Sequence, residues 1–358
     1  MIKITRENYT VEVSDPEVYV DNEARGRSGH MSHAMAQFAP NQFLEFNSNC
    51  SAKRCGGHST FGWIEYRKSL DGGKTYSPVY DLEYSKKVLL NGEKTISLEK
   101  AIACKNGNIV AFCLVNAQNN PLCCENWTEP TVIISRDQGE TWSEPKKMCE
   151  YAGRVYEVRY HNDEIYVLMF CNPNFVGSKK DHLYRLFKSS DYGESFVEVS
   201  TLPFLPWNRA YAAMVFDTEG VLHAYAYQLY EEKELEHAIS RDCGKTWEML
   251  EPCYLAKKIR NPQIGYIDGV YVMHGRGGDA GGFVLYTSLD ATNWDEGIIL
   301  VDKQYVGAYY SQNLNLYDEK GNFLLIQYSD TYDKPNPNAP SPWCARVNAM
   351  HISLRVTK

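Results

Sequence analysis

The chain has 358 residues, of which 44% are hydrophobic and 13% aromatic, and its formal net charge is −8. This composition excludes a disordered chain and predicts a sizeable core, arranged as two ordinary domains or one large repetitive domain. We expect no nucleic-acid partner, which would need a basic face, and no membrane partner, because no stretch approaches the roughly 20 apolar residues of a membrane helix.

Eleven cysteines are scattered along the chain without a Cys-x-x-Cys pair. The pair Cys123–Cys124 and the spacing Cys50–Cys55 are the only clusters, and we expect reduced thiols there rather than a metal site. The first residues, MIKITRENYTVEVSDPEVYV, alternate apolar and polar and lack an apolar signal core. We therefore expect a reducing, cytoplasmic location, although a secreted chain whose leader had been removed would begin in the same way.

A strand–turn–strand pattern occurs six times, with a turn rich in Asn, Asp or Gly at its centre. In chain order the six segments are AMAQFAPNQFLEF, KAIACKNGNIVAFCLV, YEVRYHNDEIYVLMF, AAMVFDTEGVLHAYAY, PQIGYIDGVYVMHG and SQNLNLYDEKGNFLLIQY. Each of the first five is followed by a similar second turn. These turns are SLDGGKTYSP from Ser69, SRDQGETWSEP from Ser135, SSDYGESF from Ser189, SRDCGKTW from Ser240 and a degraded SLDATNW from Ser288.

The first serines of the repeated turns lie 48 to 66 residues apart, a period typical of solenoids and propellers. Six sheets around an axis predict an all-β fold, a six-bladed β-propeller formed by a single domain over residues 1–358. The first strand, IKITRENYTVEV, and the last, VNAMHISLRV, would share one blade and close the ring. The repeated turns would be scaffold, because Ser and Asp bond backbone amides, Gly accepts a left-handed conformation and the Trp or Tyr packs beneath.

The inner strand of each blade lines the central channel, and we expect a site where those strands begin and where the far end of each first hairpin returns. The candidates there are His30, His33 and His58 from the first blade, Glu99 from the second, Arg154 from the third, Arg209, Tyr211 and Tyr227 from the fourth, Arg260, Gln263, His274 and Arg276 from the fifth, and Tyr310 and Asp330 from the sixth. Four of these residues are arginines, whose planar guanidinium matches a carboxylate, so the set favours an anionic ligand. The alternative for each arginine is an ion pair with a neighbouring acid.

The pattern Ser-x-Asp-x-Gly-x-Thr-Trp at these spacings is the Asp-box motif, and the whole chain resembles the sialidase (neuraminidase) superfamily of six-bladed propellers. That resemblance implies three arginines that hold a substrate carboxylate, a nucleophilic Tyr, a Glu that activates it and an Asp as acid/base; a Tyr nucleophile is an exception among glycosidases. GAYYSQNLNLYDEKGNFLLIQY resembles the nucleophile segment, with Tyr310-Ser311 as the match. NPQIGYIDGVYVMHGRGG resembles the blade of the third arginine, which would be Arg276.

Four other parts of the family pattern are replaced. The segment of the first arginine is GHMSHAMAQF, with His30 and His33, and the loop of the acid/base Asp offers His58. The position of the activating Glu is NRAYAAMVF, with Arg209 and Tyr211. The second arginine is replaced by HAYAYQLY, with Tyr227. Histidine can still transfer protons near neutral pH, so these replacements remain chemically competent.

The resemblance therefore implies a sialidase-like exo-glycoside hydrolase for an acidic terminal sugar, with an oligosaccharide or glycoconjugate as partner. A lyase that performs β-elimination on uronic-acid glycans with Tyr and His, and a non-catalytic glycan-binding propeller, are the alternatives. We expect Tyr310, Glu99, His30, His33 and His58 to be catalytic, and the other candidates to bind substrate: Arg154, Arg209, Tyr211, Tyr227, Arg260, Gln263, His274, Arg276 and Asp330. No cofactor is expected, because no phosphate-binding glycine motif follows a strand.

Overall fold

The computed structural model describes residues 1–29, 33–56, 59–117, 127–173, 179–205, 209–277, 282–302, 309–332 and 346–358. Within these ranges, the side chains of residues 53–56, 59, 60, 99, 117 and 209 are outside the description. The described residues form 28 strands and one helix, and the strands assemble into six separate sheets.

The six sheets follow one another along the chain as the blades of a propeller, so the predicted all-β, six-bladed fold is confirmed. The chain begins with β1 (Ile2–Thr5), β2 (Thr10–Val13) and β3 (Glu17–Val20), which belong to blade 6. Blade 1 consists of β4 (Arg27–Ser28), β5 (Met35–Ala39), β6 (Gln42–Gly56), β7 (Ser59–Ser69) and β8 (Tyr80–Asp81), and is followed by helix α1 (Glu83–Leu90). Blade 2 consists of β9 (Lys94–Ala103), β10 (Ile109–Ala117), β11 (Thr131–Ser135) and β12 (Lys146–Lys147).

Blades 3 to 6 repeat this plan. Blade 3 consists of β13 (Arg154–His161), β14 (Glu164–Cys171), β15 (Leu183–Ser189) and β16 (Val197–Thr201), and blade 4 of β17 (Arg209–Phe216), β18 (Leu222–Gln228), β19 (Glu234–Ser240), β20 (Glu248–Met249) and β21 (Cys253–Tyr254). Blade 5 consists of β22 (Arg260–Ile267), β23 (Val270–Arg276), β24 (Phe283–Ser288) and β25 (Ile298–Val301), and blade 6 of β26 (Ser311–Asp318), β27 (Gly321–Thr331) and β28 (Val347–Thr357) with the first strands of the chain. The pairing of β2 with β28 joins the two ends of the chain in one sheet.

The hydrophobic core is divided into layers between neighbouring blades. Between blades 2 and 3, for example, Val110 and Phe112 of β10 pack with Ile165 and Val167 of β14. Side chains alternate along a strand, so each sheet buries apolar residues on both faces, one against each neighbouring blade. The inner strand of every blade is thereby held in place around a common axis.

The Asp-box turns lie at the end of the propeller opposite to the candidate site. In blade 3, Ser189 at the start of the box pairs with Ile165 beside the turn of the first hairpin, whereas Arg154 pairs with Phe170 at the other end of the sheet. The turns are built as the sequence predicts. In the second box the amide of Gly139 donates to Ser135 Oγ at 2.7 Å, so the box stabilises its own backbone.

Candidate functional site

The inner strands of blades 2 to 5 each carry an irregularity, in the middle of β9 and near the first residues of β13, β17 and β22. In blade 2, Leu98 lies opposite Cys113 and Lys100 opposite Phe112, so the strand carries one extra residue. Corresponding register shifts occur in β13, β17 and β22. The extra residues are Glu99, Tyr156, the pair Ala210 and Tyr211, and the pair Asn261 and Pro262. Because a β-bulge redirects a side chain, the irregularities in blades 3 to 5 turn Tyr156, Tyr211 and Asn261 toward the axis.

In blade 6, a residue with left-handed backbone conformation precedes the inner strand, and the strand itself has no register shift. Tyr309, immediately before β26, has a φ of 67°, a left-handed conformation that is unusual for a bulky residue. Its amide donates to the carbonyl of Ser329, whose own amide donates to the carbonyl of Tyr310. This pair of hydrogen bonds fixes the chain on both sides of the turn, and the two adjacent tyrosines consequently face different surroundings.

A cavity of about 30 Å³ lies on the axis where these irregular segments meet. All six blades contribute to its lining: His33, Lys100, Arg154, Tyr156, Tyr211, Ala212, Asn261, Gln263, Tyr310 and Ser311. This volume holds one or two water molecules rather than a sugar ring. A sugar would therefore contact these side chains from the open side of the cavity, and they would form its floor.

Tyr310 occupies the position expected of it, at the axis beside two guanidinium groups. The Cζ atoms of Arg276 and Arg154 lie 5.7 and 5.8 Å from the centre of its ring. Its hydroxyl lies 3.2 Å from the hydroxyl of Tyr211, and its backbone amide donates to Ser329 Oγ at 3.1 Å. The sequence-based expectation that Tyr310 and Arg276 lie at the same end of the channel is therefore met in the structure.

Arg154 is 2% exposed, and its guanidinium is surrounded by aromatic rings. Its Cζ atom lies 4.8 Å from the ring centre of Tyr211, 5.4 Å from that of Tyr156 and 5.5 Å from that of Trp127. Cation–π contacts stabilise a guanidinium without neutralising its charge. The guanidinium of Arg154 is therefore held among the aromatic side chains beside the cavity, which it also lines.

Arg260 and Arg276 face each other across the first hairpin of blade 5. Arg260 pairs with the buried carboxylate of Glu232, whereas no carboxylate pairs with Arg276 among the described residues. Burial raises the pKa of Glu232, and the charge of Arg260 opposes that shift. Arg260 therefore forms an ion pair with a neighbouring acid, which was the alternative considered for each arginine. Arg276 is the member of the pair that is available to an anionic ligand.

His33 lies in blade 1 with its ring nearly parallel to that of Tyr310, at a centre-to-centre distance of 6.2 Å. The side chain is 3% exposed, and neither ring nitrogen has a hydrogen-bond partner among the described residues. Burial, together with the charges of Lys100 and Arg154, lowers the pKa of His33 to about 3. The imidazole is therefore neutral at physiological pH and offers one donor and one acceptor to a ligand.

Beneath the cavity, a buried network of charges closes the channel. Lys100 Nζ donates to the side-chain carbonyl of Gln263 and lies 3.6 Å from the carboxylate of Glu157. Glu157 also pairs with Arg159 at 3.2 Å, and Arg159 donates to the carbonyls of Met214 and Ile264 in the next two blades. Lys100 and Arg159 thus both contact the carboxylate of Glu157, and the three charged groups link blades 2 and 3 beneath the cavity.

The remaining candidates are placed differently. Tyr227 is fully buried behind Tyr211, with their rings stacked at 6.0 Å, and His274 lies behind Ser311 rather than on the cavity wall. Asp330 pairs with Asn348 within blade 6 and is not among the residues that line the cavity. His30 and His58 lie outside the described residues, as do the side chains of Glu99 and Arg209, whose backbones lie in inner strands of blades 2 and 4.

Sequence reasoning did not identify Lys100 and Tyr156, which line the cavity. The signal for Lys100 was present, because a lysine within KTISLEKAIA stands between apolar residues of an inner strand, where a charge requires a buried partner. Nothing comparable marks Tyr156 in RVYEVRYH, because its direction depends on the bulge.

The described residues contain neither a cluster of metal-ligating side chains nor a membrane-spanning helix. No group of three or more His, Cys, Asp or Glu side chains there is arranged to hold a metal ion. None of the helical segments in this part of the chain has the length and apolarity needed to cross a membrane.

Comparison with known proteins gives one family match and many similar folds. Residues 133–144 match the model of the BNR/Asp-box repeat. No curated protein sequence matches the chain. A crystal structure of a protein of unknown function from Dyadobacter fermentans is 15% identical, with a TM-score of 0.72 over 97% of this chain and 99% of that chain.

Sialidases are among the similar structures. The NanB sialidase from Streptococcus pneumoniae is 11% identical, with a TM-score of 0.64 over 95% of this chain and 70% of that chain. The intramolecular trans-sialidase from Ruminococcus gnavus is also 11% identical, with a TM-score of 0.61 over 94% of this chain and 96% of that chain. At such identities, these similarities show the fold alone.

Proposed function

We propose that this chain, an Asp-box propeller with the sialidase-like fold, is a carbohydrate-active enzyme: an exo-glycoside hydrolase for a terminal sugar that carries a carboxylate. The observation that carries the proposal is the ring of Tyr310 at the axial cavity, with its centre 5.8 Å from Arg154 Cζ and 5.7 Å from Arg276 Cζ. Arg276 has no carboxylate partner among the described residues, so a bound sugar carboxylate would provide one.

In the proposed reaction, Arg276 holds the sugar carboxylate and thereby places the anomeric carbon above Tyr310. The phenol oxygen attacks that carbon, the glycosidic C–O bond breaks, and the departing oxygen takes a proton from an acid. Water then releases the sugar from Tyr310. Proton transfer in these steps is assigned to Glu99, His30 and His58 on the basis of the sequence, and the neutral His33 can accept the phenol proton of Tyr310 through a water molecule.

A second candidate, β-elimination from a uronic-acid glycan, is favoured by one specific observation. The neutral imidazole of His33 lies beside Tyr310, with the two ring centres 6.2 Å apart, and neither of its ring nitrogens has a hydrogen-bond partner among the described residues. In this reaction a base removes the proton on C5, the C4–O bond breaks, and Tyr310 protonates the departing oxygen. Arginine and Asn261 would neutralise the carboxylate during proton removal.

The two reactions leave different products, so one assay distinguishes them. The protein is incubated with aryl α-sialosides, β-glucuronides, α-rhamnosides and uronic-acid polymers, and the release of reducing sugar and the ultraviolet band of unsaturated uronate are followed together. Reducing sugar without the band supports hydrolysis, and the band supports elimination. Binding of these glycans without either product would contradict both reactions and indicate a glycan-binding propeller.

A further inference from the structure

Three polar side chains form a short chain that ends at the cavity. Asn313 Nδ2 lies 2.9 Å from His274 Nε2, and His274 Nδ1 lies 2.9 Å from Ser311 Oγ. His274 is fully buried, and Ser311 follows Tyr310 directly and lines the cavity. The chain therefore connects the interface between blades 5 and 6 with the position where a substrate is expected.

The amide of Asn313 determines which nitrogen of His274 carries hydrogen. Burial, with the charges of Lys100 and Arg159, lowers the pKa of His274 to about 3, so the ring is neutral and has one N–H group. Because the Asn313 amide donates to Nε2, that nitrogen has no hydrogen and Nδ1 carries it. His274 Nδ1 consequently donates to Ser311 Oγ.

The direction of this hydrogen bond leaves the hydroxyl hydrogen of Ser311 pointing away from His274. Among the described residues, His274 is the only side chain that hydrogen-bonds to Ser311. A serine hydroxyl has one hydrogen to donate, and here the hydroxyl accepts from the imidazole. The donor of Ser311 is therefore directed to the cavity.

The position of the Asn313 amide depends on the lack of a side chain at Gly265 in the neighbouring blade. A Cβ atom at residue 265 would lie only 2.8 Å from Asn313 Oδ1. The amide is thus fitted closely between the inner strands of blades 5 and 6, and its orientation is set by packing as well as by the hydrogen bond to His274.

We propose that Asn313 and His274 are positioning residues that fix Ser311 as a hydrogen-bond donor to an anionic oxygen of the substrate, and that Ser311 thereby contributes to selectivity for acidic sugars. The identity of the ligand rests on the proposed function, whereas the direction of the hydrogen-bond chain does not. If Ser311 instead donated to His274, only the lone pairs of its hydroxyl would face the cavity, and these favour neutral or cationic ligands. The tautomer of His274 therefore determines whether Ser311 favours an anionic ligand.

The first experiment measures the tautomer without a substrate. The ¹⁵N shifts of the histidine rings in the labelled protein, with His274 assigned by comparison with the His274→Gln variant, should show hydrogen on Nδ1 and none on Nε2. Hydrogen on Nε2 would overturn the proposal, because Ser311 would then donate to the imidazole.

The second experiment reverses the chain. In the Asn313→Asp variant the new carboxylate accepts from Nε2–H, Nδ1 becomes an acceptor, and Ser311 turns its hydrogen away from the cavity. The affinity for N-acetylneuraminate or glucuronate, measured by calorimetry as the free sugars, should fall about 10-fold or more, as it should in Ser311→Ala. Asn315→Asp is the matched control, since it adds the same charge on the same strand at an exposed position.

The double variant separates hydrogen bonding from charge. If the effect acts through Ser311, Asn313→Asp should cause no further loss of affinity in the Ser311→Ala background. A full additional loss would show that the added charge alone is responsible and would overturn the proposal. Because the readouts are the tautomer and the binding of free sugars, a protein that shows the expected tautomer and affinities but no turnover would contradict the proposed reaction and support this inference.

Discussion

Tyr309 and Tyr310 are neighbours in the chain with different roles in the structure. The ring of Tyr309 packs against Phe283 and Tyr328, whereas that of Tyr310 lines the axial cavity. The left-handed backbone of Tyr309 separates the two directions at a cost in conformational energy, and such strain is commonly retained at functional sites. Side-chain direction at this one residue therefore decides which phenol can meet a substrate.

We expect Tyr310→Phe to lower kcat about 10²–10⁴-fold, because the variant lacks the oxygen that attacks the sugar or donates the proton. Binding of a free acidic sugar should change little, since both guanidiniums remain. Steady-state kinetics and calorimetry measure the two effects. Tyr309→Phe is the matched control and should retain full activity, whereas full activity in Tyr310→Phe would show that the site has been assigned to the wrong residue.

Arg276→Lys tests the carboxylate contact. A lysine keeps the charge but loses the planar pair of donors, so KM for an acidic sugar should rise about 10-fold or more. The methyl ester of the same sugar lacks the carboxylate and should show little change in KM. An equal rise for acid and ester would mean that Arg276 supports the fold of the site rather than the contact with the anion.

At the level of elements, the glycines of the second, third and fourth Asp boxes allow neighbouring blades to approach closely. A Cβ atom on Gly244 of blade 4 would lie 2.0 Å from a methyl carbon of Leu186 in blade 3, and corresponding contacts join Gly193 to Val110 and Gly139 to Leu44. The box therefore packs one blade on the previous one, in addition to stabilising its own turn.

Gly244→Ala should destabilise the protein more than Gly220→Ala. Both glycines have a φ of 84°, so both alanines carry similar backbone strain, about 1–2 kcal/mol. Only residue 244 also meets Leu186, whereas the nearest atom to a Cβ at residue 220 is 3.9 Å away, so the first variant should lose about 1–3 kcal/mol more. Urea denaturation measures both changes, and equal losses would argue against the contact between blades.

The β-bulges explain which part of the site could be predicted. The repeated turns and hairpins were sufficient to predict six blades, and the Tyr310-Ser311 and Arg276 segments placed two residues correctly at one end of the channel. Strict alternation of side chains fails in β13, where Val155 and Val158 are both buried in the layer between blades 2 and 3 although they lie three positions apart in the chain. The bulge at Tyr156 therefore shifts by one residue which side chains of the strand face this layer. One inserted residue reverses the alternation, and no local pattern in the sequence marks it.

For the whole molecule, three buried histidines predict sensitivity to acid. Burial is the main cause that lowers the pKa values of His33, His237 and His274 to about 3 each. His237 is enclosed by His223, 3.0 Å away, and by Cys253. Each folded-state pKa lies below the ordinary value of 6.5, so the unfolded chain binds more protons once the pH falls below that value.

The free energy of unfolding should therefore decrease between about pH 6.5 and 3, by up to about 1.4 kcal/mol per pH unit for each of these histidines. Urea denaturation at several pH values measures this slope. In the His237→Gln variant, the free energy of unfolding should change less steeply with pH, by up to about 1.4 kcal/mol per pH unit, because one proton fewer is taken up on unfolding. This difference in slope does not depend on the stability of the variant at pH 7. An unchanged slope would show that His237 is not the proton acceptor.

The β-bulges in the inner strands of blades 2 to 5 have an evolutionary consequence. Backbone pairing continues on both sides of each irregularity, so a substitution at positions 99, 156, 211 or 261 leaves the ladder of its blade intact. Each of these four blades can thus supply a new functional group by a single amino-acid exchange while the other blades are unchanged. The same four positions define a compact library for directed evolution toward other sugars, in which most members are expected to fold.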